Sequence, residues 1–170
     1  RVKEVVFLSH PDGGLEDSPL FRSQIVREIR RHKPEAILCI DPYRSTSHTH
    51  RDHRMSGQVA LDAAFTYAWS HLHFPEQITQ EGLEPHQVTE ALLWGSETPD
   101  VCVDVADHID GKFNSLSKHA SQISSSLADR KERIQRWAAR SAESTGIPFA
   151  ESFRRQSLDI GSVASQYLSS

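Results

Sequence analysis

Cysteine is scarce in this sequence, with two in 170 residues, at positions 39 and 102. Each lies in an apolar, strand-like run, so the pair reads as reduced core side chains in a reducing, cytoplasmic compartment rather than as a disulfide or a metal pair. Positive charge is also short: 19 Lys and Arg stand against 23 Asp and Glu, a formal net charge of −4. That is the wrong sign for a surface that must neutralise many phosphates, and it disfavours nucleic acid and anionic membranes as partners. Long hydrophobic runs are missing. The longest, Val5–Leu8 and Ala36–Ile40, fall far short of the ~18 residues of a membrane span, and no basic segment leads into an apolar stretch. The apolar share of 37% is low for a globular chain and predicts an adequate but thin core. Methionine occurs once, at position 55, and position 1 is Arg, which suggests a chain truncated at its N-terminus.

What is present alternates between strands and helices. Val5–Leu8 is β-branched and closed by Pro11-Asp12-Gly13-Gly14, which predicts a buried strand ending in a turn. A helix follows, with Ser18 as N-cap, Pro19 in its first turn, Phe21, Ile25 and Ile29 every fourth residue, and Pro34 as its stop. Ala36–Ile40 reads as a second strand, parallel to the first across a right-handed βαβ crossover. After a polar stretch a helix restarts at Thr49, where Thr49-His50-Arg51-Asp52 has capping-box spacing. His71–Glu90 reads as a long irregular loop that could serve as a lid. Strands at Ala91–Trp94 and Val101–Val105, a helix through Ile109, Phe113 and Leu116, an exposed charged helix over Asp129–Ala142 and an edge strand at Pro148–Phe153 complete the pattern. The expectation is one α/β domain over residues 1–160, a Rossmann-like, mainly parallel sheet flanked by helices, with a frayed tail at 161–170.

Ligands of such sheets sit at the carboxyl ends of the strands. Ser9–Glu16 and Asp41–His53 both lie at such ends, so Asp12 should be a spatial neighbour of His50, Asp52 and His53. Three of the ten His, at 48, 50 and 53, fall within six positions, and His50 and His53 share a helix face. Imidazole suits zinc, and a ligating His needs an acceptor to fix its tautomer, a part open to Asp52. The plainer reading stands beside it: a His-rich polar loop is often only solvated, and Asp52 is equally the carboxylate of a capping box.

The run Val5-Val6-Phe7-Leu8-Ser9-His10-Pro11-Asp12-Gly13-Gly14-Leu15-Glu16-Asp17, then His50-Arg51-Asp52-His53, Phe74-Pro75-Glu76, Gly82-Leu83-Glu84-Pro85-His86 and His119-Ala120-Ser121-Gln122 resembles, in colinear order, the LmbE/PIG-L family of zinc-dependent N-acetylglucosaminyl deacetylases. The resemblance implies an LmbE-like fold and hydrolysis of the acetamide of an N-acetylated amino-sugar conjugate, a small molecule. It implies His53 as a zinc ligand, His50 as the group that polarises the amide and stabilises the oxyanion, Asp52 as its positioner, and Asp12 as a contact to a sugar hydroxyl. Other divalent metals and a homo-oligomer stay open. The family's first motif, Ala-His-Pro-Asp-Asp, is absent. His10-Pro11-Asp12-Gly13 imitates it, but Gly13 would then stand where a metal carboxylate belongs, and the segment fits a later turn better. The chain is therefore expected to begin after the first βαβ unit, at least ~30 residues in. With His53 alone where a catalytic zinc takes three protein ligands, the isolated chain should not be competent. A non-catalytic α/β module that binds a sugar or a partner chain is the other reading.

Overall fold

The first regular element of the computed structural model is a helix, α1 (Pro19–His32), and its ends are those the sequence announces. Ser18 Oγ accepts from the Phe21 amide at 3.2 Å, Pro19 occupies the first turn, and Lys33 closes the helix in the left-handed conformation at φ 47°. The structure describes residues 2–47, 49–122, 127–143, 145–159 and 161. Apart from Gly161, the expected tail lies outside them.

After α1 come β1 (Ala36–Ile40), α2 (Arg51–Asp62), a π-helical turn over Ala63–Tyr67, a short α3 (Pro75–Thr79), β2 (Glu90–Trp94), β3 (Val101–Asp104), α4 (Ile109–Ser117), α5 (Leu127–Ala142) and β4 (Ala150–Ser157). The four strands form one sheet in the order β1-β2-β4-β3, so the chain is of the expected α/β class. β1 and β2 are parallel, in register from Ala36↔Glu90 to Ile40↔Trp94, whereas β3 and β4 are antiparallel.

Residues Arg1–Glu97 with Arg154–Ser170 form one compact unit, and Thr98–Phe153 form a second. The core of the first gathers Val26 and Ile29 of α1, Leu61 of α2, Ala63 and Ala64 of the π-helical turn, and Ala91 and Leu93 of β2. Gly57 explains how closely α2 approaches β1, because a Cβ there would lie 2.4 Å from the Ile40 carbonyl oxygen. In the second unit, Ile109, Ile134 and Ala138 cluster between α4 and α5. α5 is not the wholly exposed helix expected. Arg130, Ile134, Ala138 and Ala142, four residues apart, are buried while Trp137 is exposed, an amphipathic stripe in a highly charged sequence.

Several other expectations are corrected. Val5–Leu8 forms no strand, and the βαβ unit that was to contain it is not built. Among the described residues no strand engages its backbone, and Val5 and Phe7 are 65% and 85% exposed. β4 is interior to the sheet, not an edge, because it lies between β2 and β3. Cys39 is buried as expected, but Cys102 is exposed; both are free.

The segment read as a loose loop or lid is pinned from below. Arg30, 1% exposed, donates from Nε to the Ala68 carbonyl at 3.1 Å. Its Nη1 donates to Phe74 O and Gln77 Oε1, both at 3.1 Å, and its Nη2 to the carbonyls of Tyr67, Ser70 and His73 at 3.3, 2.8 and 2.9 Å. Gln77, fully buried in α3, passes the chain of bonds on to Ser23 of α1. One guanidinium thus satisfies the irregular backbone that follows the π-helical turn, using neutral oxygens rather than a carboxylate. Arg30→Met, of similar length, would take their charged donor from all of these oxygens, leaving the Ala68, Tyr67 and Phe74 carbonyls one backbone amide each, from His86, Ser70 and Gln77. It should lower unfolding stability by about 3 kcal/mol or more and accelerate amide exchange over residues 68–77. A urea midpoint equal to that of the unaltered protein would show that the segment holds its own course.

Candidate functional site

α2 starts one residue later than the capping-box spacing suggests. Its N-cap is His50, not Thr49, and His50 Nδ1 accepts from the Asp52 amide at 3.2 Å. A ring nitrogen that accepts an amide carries no proton, so the neutral imidazole holds its proton on Nε2, a donor on a largely exposed ring.

The Asp52 carboxylate, freed from capping, reaches across to another segment. Oδ2 accepts from the Gly13 amide at 2.6 Å and Oδ1 from the Leu15 amide at 3.2 Å. Arg51 Nη1 donates to the Leu15 carbonyl, and Leu15 itself is buried against Phe21 and Val59. The carboxylate is 4.0 Å from His50 Nδ1, outside hydrogen-bond reach, so the expected orientation of His50 comes from the amide of Asp52 rather than its side chain.

This clasp brings the sequence-expected residues together. One ligand atom each from Asp12, His50 and Asp52 lies within 4.8 Å of the others. The His53 ring is 5.7 Å from that of His50 and 6.4 Å from that of Trp94, the last residue of β2, so the pair stands at the carboxyl ends of β1 and β2. His10 is not brought in. Its ring bonds Gln24 Oε1 at 2.7 Å and packs edge-on to Phe21. His48 lies outside the described residues.

Two carboxylates and an imidazole are donors a divalent cation accepts, and three is the number of protein ligands in an open catalytic zinc site. Among the described residues this is the one such cluster. The arrangement can therefore hold a cation, present an imidazole N–H to a developing negative charge, and take a ligand hydroxyl on a carboxylate.

Sequence reasoning missed Glu97 and the arginine beside Asp41. Glu97, just beyond β2, accepts from the amides of Ser45, Thr46 and Ser47 at 2.8–2.9 Å and from all three hydroxyls at 2.6–3.2 Å, fastening the loop that leads to His50. The Ser-Thr-Ser run was the available signal, since consecutive hydroxyls beside free amides make a seat for a carboxylate. Asp41, at the end of β1, is 4% exposed. Burial would raise its carboxyl, but the Ser96 side chain, the Tyr43 amide and Arg154 outweigh it and hold the group below its ordinary value.

The Thr46 hydroxyl above all, with the Ser45 and Thr46 amides and the Ser45 hydroxyl, holds the Glu97 carboxyl far below its ordinary 4.5. A folded-state pKa lower than the unfolded one adds stability that is present above about 4.5 and is lost as pH falls toward the folded value. Glu97→Gln should thus be less stable than the unaltered protein at pH 7, with the gap narrowing below pH 4.5. Thermal melts of both proteins from pH 7 down to pH 3 check this, and a gap independent of pH would assign the clamp to packing.

Comparison with known proteins follows the same residues. The family model described as PIG-L, GlcNAc-PI de-N-acetylase, matches residues 1–64, which include the turn with Asp12 and the whole His50–His53 motif. The resemblance read from those motifs is thereby shown. The diacetylchitobiose deacetylase of Thermococcus kodakarensis is 27% identical over 122 residues, 72% of this chain and 45% of its own length. The solved N,N'-diacetylchitobiose deacetylase of Pyrococcus horikoshii, complexed with its inhibitor MPG, superposes with a TM-score of 0.82 at 23% identity, over 92% of this chain and 58% of that one. The 4-carboxy-2-hydroxymuconate hydratase of Pseudomonas putida KT2440 shares the fold at a TM-score of 0.60 and 17% identity, over 85% of this chain and 61% of that one. The chain spans about half the length of the curated relative it matches.

Proposed function

We propose that this protein takes part in metal-dependent removal of the acetyl group from an N-acetylglucosamine-type sugar or its small-molecule conjugate. The observation that carries the reading is the convergence of Asp12, His50, Asp52 and His53 at one strand-end site, in a chain similar to deacetylases. The hydratase on the same fold warns that architecture alone would not choose the reaction; the side chains at the site do. No helix of the described residues is long and apolar enough to cross a membrane, and the cysteine usage supports a cytoplasmic setting.

In this reading His53 is a ligand of the ion, with zinc the best match to an imidazole donor. The bound ion would supply Lewis acidity to the amide carbonyl and to the attacking water. His50 would donate from Nε2 to the carbonyl oxygen as charge develops on it, since its Nδ1 is already committed to the Asp52 amide. Asp52 would keep the Asp12 turn in place by its hold on Gly13 and Leu15, and Asp12, exposed, would accept a sugar hydroxyl. The closeness of Asp12, His50 and Asp52 favours a second reading, in which these three hold the ion and His53 stands beside it.

Metal content and acetate release, measured on the same variants of a chain that also carries the family's first metal motif ahead of residue 1, separate the readings. His53→Ala should lose the ion and activity together, while His50→Ala should keep the ion and lose about 10²–10³ in kcat, as removal of one oxyanion donor does. Loss of the ion in His50→Ala but not in His53→Ala would move the ion to the Asp12 cluster. Acetate release unaffected by either change would remove the deacetylase reading altogether. Asp52→Asn keeps one acceptor oxygen for two amides, so exchange at Gly13 and Leu15 should quicken and KM should rise more than kcat falls.

A further inference from the structure

A second concave site adjoins the His50–His53 motif in the chain. A cavity of about 340 Å³ is lined by Arg44, Ser45, Thr46, Ser47, Thr49 and Arg54, so that Thr49 and Arg54 bracket the motif on either side. Nothing in the deacetylase reading uses it.

Arg44 is the informative member. Its Nε is buried with no hydrogen-bond partner, an orphan that a folded protein rarely leaves. The guanidinium does not lie there by accident of an open surface. Gly95 sits beneath it at φ 68°, and a Cβ at that position would be 1.8 Å from Nη2 and 2.9 Å from Cζ. The glycine leaves a seat that the guanidinium fills. Neither Arg44 nor Arg54 is paired with a carboxylate among the described residues. The Glu97 carboxylate bonds the amides and hydroxyls of residues 45–47 and makes no ion pair with either arginine.

The hydroxyls divide by role. Those of Ser45, Thr46 and Ser47 give their protons to Glu97, so toward the cavity they can only accept. Thr49, whose hydroxyl has no acceptor among the described residues, can donate. The wall therefore offers two guanidiniums and a hydroxyl as donors, with hydroxyl oxygens as acceptors alongside. Guanidinium forks match phosphate geometry, and a tetrahedral oxyanion turns oxygens toward donors on several sides, where a carboxylate presents two in one plane.

We infer that this cavity binds a phosphate-type oxyanion, either as the free ion or as an ester on a hydroxyl-bearing molecule whose own hydroxyls meet Ser45, Thr46 and Ser47. The inference stands apart from the deacetylase reading, because binding is read with no metal added and no turnover.

Calorimetric titration of the protein with inorganic phosphate, at fixed ionic strength and with acetate as the comparison anion, is the test. One-to-one saturable phosphate binding is expected, at least tenfold weaker in Arg54→Gln and in Arg44→Gln, with acetate showing none. Arg44 also packs on Gly95, so Arg54→Gln, at an exposed position, is the deciding variant once its melting curve matches the unaltered protein. Arg136→Gln, on the exposed face of α5, should leave binding unchanged. N-acetylglucosamine 6-phosphate then distinguishes the sources: tighter binding than phosphate identifies an ester ligand, and equal binding the free ion, both in keeping with the site. Absence of saturable phosphate binding, equal binding of acetate, or an Arg54→Gln affinity equal to that of the unaltered protein would overturn it.

Discussion

A turn with no strand behind it has to be held by something other than a sheet ladder. The Asp12 turn is in that position, because Val5–Leu8 pairs with no strand among the described residues, and its place is fixed by the two amides that Asp52 accepts. The buried side chain of Leu15 and the donation from Arg51 to its carbonyl complete the fastening. The geometry of the candidate site hangs on this clasp. Without it Asp12 would have no fixed relation to His50, and the grouping of their ligand atoms within 4.8 Å would dissolve into a solvated loop.

The same device recurs at two other places where this chain leaves regular structure. Glu97 gathers three successive amides of the loop before His50, and Arg30 gathers five carbonyls after the π-helical turn. One is an anion satisfying donors and the other a cation satisfying acceptors, so each orders a stretch of backbone that lies outside any sheet ladder. Loops fixed from inside by a single charged hub can be polar and still precise in position, which is what a site built on strand-end loops requires.

The comparison with solved structures separates what the architecture implies from what the site implies. A deacetylase and a hydratase both superpose on this chain, so the sheet and its helices do not distinguish amide hydrolysis from the addition of water. In the proposed reading the distinction would rest on a handful of side chains: a histidine whose Nδ1 accepts an amide, a second histidine beside it, and two carboxylates grouped with the first.

The elements whose signals are local were legible in the sequence: Ser18 and Pro19 at the start of α1, the apolar runs of β1 and β2, and the apolar spacing of α4. Capping and periodicity act over a few residues, and so they survive in any context that lets the element form. The motif His50-Arg51-Asp52-His53 was visible at a helix start for the same reason. Tertiary structure alone decided the rest. An apolar run becomes a strand only when another strand accepts its backbone, and Val5–Leu8 has none among the described residues. A carboxylate at capping spacing caps only when no better donors come within reach, and Asp52 found Gly13 and Leu15, 39 and 37 residues away. Glu97 finds its partners 50 to 52 residues distant and Arg30 its own 37 to 47 distant. Hydrogen bonds across such separations leave no periodic trace in the chain, because they exist only once the fold has brought the two segments together.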